Sequence, residues 1–91
     1  MANLVIERPH ALGREAARRA ADDAARRLGT GLGMRSRWEG DALRFEGKGA
    51  SGTIAVSDRS VRVEVTLGLM LRPFRGRIER EIRDGLETAL G

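Results

Sequence analysis

Apolar and polar side chains alternate without a break over residues 60–67, SVRVEVTL, and this pattern constrains the fold more than any other feature. Valine or leucine occupies every second position, while Arg62, Glu64 and Thr66 lie between them. Because successive side chains of a strand point to opposite faces, the segment predicts a strand with one buried and one solvated face. The chain must therefore contain a sheet with one apolar face, and another layer must cover that face.

Three earlier segments alternate in the same way and predict three more strands: MRSRWEG (34–40), ALRFE (42–46) and TIAVS (53–57). Short segments with turn-forming residues separate the four strands, so we expect consecutive strands to pair as an antiparallel meander. One of these segments, GKGASG (47–52), matches the G-x-G-x-x-G motif of dinucleotide-binding sites. Such a site needs a helix directly after the motif, whereas a predicted strand follows it here. We therefore interpret the segment as a hairpin loop. NLVIE (3–7) predicts a further strand, which Pro9 ends because proline lacks a backbone donor.

Two amphipathic segments predict helices. The first extends from about Gly13 to Leu28 with a stripe rich in alanine, and the glycines of residues 29–33 are expected to end it. On its charged face we expect ion pairs at i,i+4 spacing: Glu15–Arg19, Arg18–Asp22, Arg19–Asp23, Asp22–Arg26 and Asp23–Arg27. The second extends from about Pro73 to Leu90, and its apolar stripe recurs every four residues at Phe74, Ile78, Ile82, Leu86 and Leu90.

The order of these elements, β-α-β-β-β-β-α, predicts an α+β two-layer sandwich in which an antiparallel sheet carries both helices on one face. A chain of 91 residues, 41% of them hydrophobic, suits a single domain over residues 1–91. By parity Trp38 belongs to the inner face, and Leu69 and Leu71 continue the buried side of the last strand. We expect one core that contains Leu43, Phe45, Ile54, Val56, Val63, Val65, Ile78 and Ile82.

Few side chains of this sequence suit catalysis or metal binding. The absence of cysteine excludes disulfides, thiolate catalysis and cysteine-ligated metals. His10 is the only histidine, and its place between Pro9 and a helix start indicates a structural role. Paired acids on the helices each have an arginine three or four residues away, which is typical of a solvated helix face. We therefore expect a protein that is not an enzyme and has no catalytic residue, no metal site and no cofactor.

Charge and hydropathy limit the partners of the chain. The formal net charge is +4, and Lys48 is the only lysine among many arginines. Acids are interleaved with the arginines, so we expect a solvated mixed-charge surface and no specific nucleic-acid binding. The N-terminus lacks a long apolar core, and no apolar run approaches the roughly 20 residues that span a bilayer, which favours a cytoplasmic location.

The segment LGLMLRPFRGR (67–77) contains the first candidate for a contact surface. Met70 has the opposite parity to the buried residues of its strand, and three arginines lie at or near the start of the second helix, where the helix dipole disfavours cations. The first candidate therefore consists of Met70, Arg72, Arg75 and Arg77. The outer face of the sheet is the second candidate, with Arg35, Arg37, Arg44 and Arg62.

Three segments, RPHALGREAARRAADDAA, WEGDALRF and GTIAVSDRSVRVEVTLGLMLRPFRGRIEREI, together resemble the polyhydroxyalkanoic acid system family of small bacterial proteins. The shared features are His-x-Leu-Gly before the first helix, Trp-x-Gly-Asp-x-Leu-x-Phe across the first hairpin, and Val-x-Val-x-Leu-Gly running into Leu-x-Pro and a helix. The resemblance covers nearly the whole chain and implies an association with storage polyesters of 3-hydroxyacids. It implies no catalytic residue and no ligand site.

These observations favour a non-enzymatic accessory protein of the polyhydroxyalkanoate system, which contacts a partner protein or the granule surface. The first alternative is a small carrier of an apolar ligand such as a 3-hydroxyacyl chain, although a chain of this length leaves little volume for a pocket. The second alternative is a weak nucleic-acid binder, because the chain is basic. Self-association into a homo-oligomer is a further expectation about partners.

Overall fold

The computed structural model describes residues 4–32 and 35–90, with the backbone alone for residues 27–32. Within these ranges the chain forms five strands, one 3₁₀ turn and two α-helices: β1 (Leu4–Pro9), α1 (Arg14–Leu32), β2 (Arg35–Glu39), β3 (Ala42–Gly47), β4 (Ala50–Val56), β5 (Ser60–Leu67), the 3₁₀ turn (Arg72–Phe74) and α2 (Arg75–Leu90). The predicted α+β fold and its element order are confirmed. The predicted strand residues Asn3 and Met34 lie outside the described residues.

The five strands form one antiparallel sheet in the order β1-β5-β4-β3-β2. Strands β2 to β5 pair with their neighbours in the chain as the predicted meander, and β1 pairs with β5 at the far edge. The register brings apolar residues together on one face, because Val63 pairs with Ile6 on one side and with Ile54 on the other. Residues of opposite parity, such as Arg62, lie on the outer face.

Both helices cover the apolar face of the sheet, and the residues between the layers form one buried cluster. Helix α1 contributes mainly alanines, whose small side chains let the helix lie close to the strands, while α2 contributes Ile82 and Leu86. Of the predicted core residues, Ile78 is half-buried and packs against the cluster. The others are buried: Leu43, Phe45, Ile54, Val56, Val63, Val65 and Ile82.

Two predicted boundaries were wrong. The helical backbone of α1 continues to Leu32, although Gly29 and Gly31 lie within it. Glycine costs a helix about 1 kcal/mol relative to alanine but does not forbid helical dihedrals, so it is an unreliable stop signal. The predicted loop over residues 47–52 contains only a two-residue turn, because Gly47 pairs with Ala50 and β4 begins there.

Close packing explains why a glycine occupies position 52 within β4. Gly52 lies opposite Phe45 in the sheet. A Cβ atom at Gly52 would lie 2.2 Å from the backbone oxygen of Glu64 and 2.7 Å from Cζ of Phe45. The aromatic ring therefore occupies the space over the glycine, and this position in the strand has no room for a larger side chain.

The strands define two ends of the molecule. The first end holds the β2–β3 turn at Gly40-Asp41, the β4–β5 turn and the start of α1. The second end holds the Lys48-Gly49 turn, the end of β5 and the start of α2, and there the Gly68 N–H donates to the Gly49 carbonyl over 2.7 Å. Helix α2 runs back towards the first end, since Arg8 in β1 forms an ion pair with Glu87.

Candidate contact surface

Arginines of α1 hold the first end of the molecule together. Arg14 reaches carboxylates of both hairpin turns, with its Nη1 atom 3.0 Å from Oδ2 of Asp41 and its Nε atom 3.1 Å from Oδ1 of Asp58. Arg18 donates from Nη1 to Oδ1 of Asp41 and to the Gly40 carbonyl, over 3.0 Å in each case. We call Arg14, Arg18, Asp41 and Asp58 the clamp. It explains how α1 is fixed across two hairpin turns.

The clamp corrects one predicted ion pair. Arg18 pairs with Asp41 in the β2–β3 turn and not with Asp22 one helical turn away, because the helix brings its guanidinium over that turn. The same guanidinium lies 4.3 Å from the centre of the Trp38 ring, which is half-buried against the core. The predicted pair between Asp22 and Arg26 is confirmed, with 2.8 Å between the oxygen and the nitrogen.

Two of the three motifs that carry the family resemblance have structural roles at this same end. In Trp-x-Gly-Asp, Gly40 adopts a left-handed φ of 62° that the tight turn requires, and Asp41 belongs to the clamp. In His-x-Leu-Gly, the Nε2 atom of His10 lies 2.8 Å from the Ser57 carbonyl, and its Nδ1 atom accepts the Leu12 N–H over 3.3 Å. These contacts agree with the structural role expected for the histidine.

The connection between β5 and α2 at the second end, residues 68–74, exposes apolar side chains. Leu69 is 78% exposed, Met70 84% and Phe74 51%. The prediction that Leu69 is buried was wrong, because β5 ends at Leu67 and a turn begins at Gly68, so the alternation no longer applies. Leu71 does point inward and packs against the core cluster as a half-buried residue.

This connection is an ordered turn. The N–H groups of Leu71 and Arg72 both donate to the Gly68 carbonyl, over 3.0 and 3.2 Å, and the Phe74 N–H donates to the Leu71 carbonyl over 2.9 Å. The side chain of Leu71 covers Gly49, since a Cβ atom there would lie 3.2 Å from Leu71 Cδ1. The hydrogen bonds and this inward leucine define the backbone conformation from which the exposed side chains project.

The three predicted cations follow Leu69 and Met70 in the sequence, and Phe74 lies between the first two of them. Helix α2 begins at Arg75 and has no acidic residue in its first turn. The Nε atom of Arg77 lies 3.8 Å from Oε1 of Glu81, a distant ion pair in which both side chains are largely exposed. Arg72 has no acidic partner among the described residues. We call Leu69, Met70, Arg72, Phe74, Arg75 and Arg77 the joint surface.

Sequence reasoning found four of these six residues. It missed Leu69 and Phe74 because it assigned both to the core, the first by strand parity and the second by helix spacing. Gly68 was the signal for the first, since a glycine next to a strand end permits a change of direction. No comparable signal in the sequence indicates that the apolar stripe of α2 extends beyond the core at Phe74.

The second candidate surface forms a groove on the outer face with a volume of about 580 Å³. Arg35, Arg37 and Arg44 line it, whereas Arg62 is not among its lining residues. Acids offset much of the positive charge. The Nε atom of Arg44 lies 2.9 Å from Oε2 of Glu39, and Nη2 of Arg62 lies 3.3 Å from Oε1 of Glu64. The other lining residues are mostly hydroxyl and acidic side chains, namely Ser36, Phe45, Glu46, Ser51, Gly52, Thr53, Glu64 and Thr66.

The described parts of the chain contain no cluster of three or more His, Asp or Glu residues that suits a metal ion. Neither helix within residues 4–32 and 35–90 combines the length and the apolar character that crossing a membrane requires.

Comparison with known proteins identifies a family. A family model described as "Putative polyhydroxyalkanoic acid system protein" matches residues 4–90, which is nearly the whole chain. Searches of curated proteins and of solved structures returned no significant match. The matched range includes both the clamp and the joint surface.

Proposed function

We propose that this chain, which belongs to the polyhydroxyalkanoic acid system family, is a non-enzymatic accessory protein that binds the surface of polyester granules through the joint surface. The observation that carries the proposal is the exposure of Leu69, Met70 and Phe74 beside three arginines at one end of the molecule.

Burial of the apolar side chains would drive such binding. Fully burying a large aliphatic or aromatic side chain contributes about 1.5–3 kcal/mol. Removing Leu69, Met70 and the exposed half of Phe74 from water would therefore favour binding. Scattered exposed apolar residues are normal on a protein surface, but a contiguous group rimmed by charge is typical of an interaction site. A polyester granule offers an apolar interior beneath an amphipathic coat, which suits a surface that combines apolar and cationic groups.

The placement of the arginines supports the same proposal. Arg75 and Arg77 occupy the first turn of α2, where the positive end of the helix dipole makes a cation unfavourable by about 0.3–1 kcal/mol. Serine, aspartate or glutamate would stabilise that position in a protein selected for folding alone. Cations retained at a locally unfavourable position suggest an anionic partner.

Two other functions receive less support. An acyl-chain carrier needs an apolar cavity, but the inner face of the sheet is packed by buried aliphatic side chains, and the groove described above is polar. A nucleic-acid binder would use the outer arginines, but Glu39 and Glu64 lie beside Arg44 and Arg62 and reduce their attraction for phosphates.

Granule co-sedimentation tests the proposal with three proteins of matched design. The wild-type chain is compared with Arg75→Glu/Arg77→Glu, which reverses two charges of the joint surface, and with Arg35→Glu/Arg37→Glu, which makes the same charge change on the outer face. We expect the first double variant to leave the granule fraction and the second to remain in it, with thermal melts showing that both fold.

The opposite pattern would transfer the contact to the outer face. Equal sedimentation of all three folded proteins would reject granule binding through either surface, and capture of the wild-type chain by a soluble partner protein would then become the leading explanation.

A further inference from the structure

We propose that the joint surface recognises an anionic lipid layer, with Leu69, Met70 and Phe74 entering the acyl region and the arginines contacting headgroup phosphates. This inference rests on the proposed function, because it names the chemistry that the same residues contact on a granule. The partner class is a phospholipid surface with net negative charge, and an acidic protein or a bare polyester is an alternative that the test distinguishes.

The apolar part of the joint surface has the form of a peripheral anchor. Leu69 and Met70 are adjacent at the tip of a hydrogen-bonded turn, and both are more than three-quarters exposed. Phe74 lies in the following 3₁₀ turn, with its side chain half-exposed. Because backbone hydrogen bonds and Leu71 already hold the turn, binding a lipid layer requires little further ordering of the chain.

The charge of the same segment complements an anionic layer. Residues 68–78 contain three arginines and no acid, and Glu79 is the first acid that follows. Surface-active segments that lie in a headgroup region combine large apolar side chains with lysine or arginine in this way. Guanidinium groups also suit phosphate, because their planar donors can form paired hydrogen bonds with two phosphate oxygens.

Comparison with the outer face favours lipid over nucleic acid or an acidic protein. The outer groove has arginines without a matching group of exposed aliphatic side chains, and Glu39 pairs with two of them, Arg37 and Arg44. The joint surface has both components in one short segment. A layer that presents phosphates above acyl chains complements both, whereas a phosphate backbone complements the cations alone.

Vesicle flotation with the full chain tests the inference. The probes are vesicles of phosphatidylcholine with phosphatidylglycerol, and vesicles of phosphatidylcholine alone, each at low and high salt. We expect binding to the anionic vesicles that is about tenfold or more stronger than to the neutral ones, and that falls as salt rises. Arg75→Glu/Arg77→Glu and, separately, Leu69→Ser/Met70→Ser should abolish it, while Arg35→Glu/Arg37→Glu should retain it.

Several results would overturn the inference. These are no binding to either vesicle, equal binding to both, or equal loss in the outer-face control. Circular dichroism of each variant shows whether it folds, and variants of the exposed joint residues are not expected to disturb the core.

The granule assay separates the two proposals. Granule binding through the joint surface without vesicle binding would reject the lipid layer and retain the proposed function, with a coat protein or the polyester itself as the contact. Vesicle binding without granule binding would retain lipid recognition and reject the proposed function.

Discussion

The two ends of the molecule use the same residue type, arginine, in opposite ways. At the first end, Arg14 and Arg18 are joined to Asp41 and Asp58, and the arginines connect a helix to two turns. At the second end, three arginines lie beside exposed apolar side chains in a segment without acids. Both ends are rich in arginine, so composition alone does not distinguish them, whereas the number of acids beside the arginines does.

Helix α2 connects these two situations along a single apolar stripe. Leu86 and Ile82 are buried, with 0% and 3% of their surface exposed, whereas Ile78 is half-buried and Phe74 is 51% exposed. The stripe therefore begins outside the core, at the joint surface, is fully buried at Ile82 and Leu86, and is half-buried again at Leu90. Helix α2 supplies the packing, and the 3₁₀ turn directly before it supplies an exposed apolar residue in the same stripe.

We expect the largest difference in the free energy of unfolding between variants at two positions of this stripe. Ile82→Ala should lower the free energy of unfolding by about 2–5 kcal/mol, because it leaves a cavity between α2 and the sheet. Phe74→Ala should cost well under half as much, since half of that side chain already contacts water. Urea denaturation of both variants measures the difference. Similar losses at the two sites would show that Phe74 belongs to the core.

A second pair of variants compares the sheet with the joint at two glycines. Gly52→Ala should cost about 1–3 kcal/mol or more, because its Cβ atom would meet the backbone of Glu64 and the ring of Phe45. Gly76→Ala in the first turn of α2 meets no atom within 4 Å, and should stabilise the protein by up to about 1 kcal/mol through helix propensity. Thermal melts measure both. A destabilising Gly76→Ala would contradict the open surroundings of that residue.

Much of the fold followed from local patterns in the sequence. Alternation identified the sheet because one face is buried along β1, β3, β4 and β5, and four-residue spacing identified α2 because its stripe faces the same core. Two kinds of feature were missed. The start of β4 at Ala50 depends on pairing with β3 and β5, and the end of α1 at Leu32 depends on the tolerance of a helix for glycine. Neither is visible as a local pattern.

The joint surface was found in part for a related reason. The arginines were recognised because they conflict with the helix dipole, which is a local rule. Leu69 and Phe74 obey the local rules for buried residues, and only the turn at Gly68 and the position of α2 on the sheet leave them exposed. The clamp was missed as well, because the Arg18–Asp41 pair links residues far apart in the sequence.

We expect smaller losses of stability when an acid is removed at each end of the molecule. Asp41→Ala removes the shared partner of Arg14 and Arg18, and two partly exposed pairs at roughly 0.2–1 kcal/mol each predict a loss of about 1 kcal/mol that shrinks as salt rises. Glu81→Ala removes the distant pair with Arg77 and should cost no more than about 0.5 kcal/mol. Denaturant melts at two salt concentrations measure both. Equal losses would mean that the clamp contributes no more than an ordinary surface pair.

The variant with the smallest expected change in stability, Arg75→Glu/Arg77→Glu, tests the contrast between the clamp and the joint surface most directly. In Arg75→Glu/Arg77→Glu, each new carboxylate is favoured at the helix N-terminus by about 0.3–1 kcal/mol. Repulsion from Glu79 and Glu81, each four residues further along α2, opposes this by roughly 0.2–0.5 kcal/mol per pair. Loss of the distant Arg77–Glu81 ion pair opposes it as well. The double variant should therefore be as stable as the wild-type chain or slightly more stable, which a thermal melt measures.

The same variant should lose granule binding although its fold is intact, and this separation of stability from binding distinguishes the joint from the clamp. Reversing the charge of a residue that is retained for folding lowers the stability of the protein, as we expect for the clamp. Reversing the charge of a residue that is retained for contact weakens binding and leaves the stability unchanged. If Arg75→Glu/Arg77→Glu unfolds at a clearly lower temperature than the wild-type chain, these arginines have a folding role like that of Arg14 and Arg18, and the contrast between the two ends does not hold.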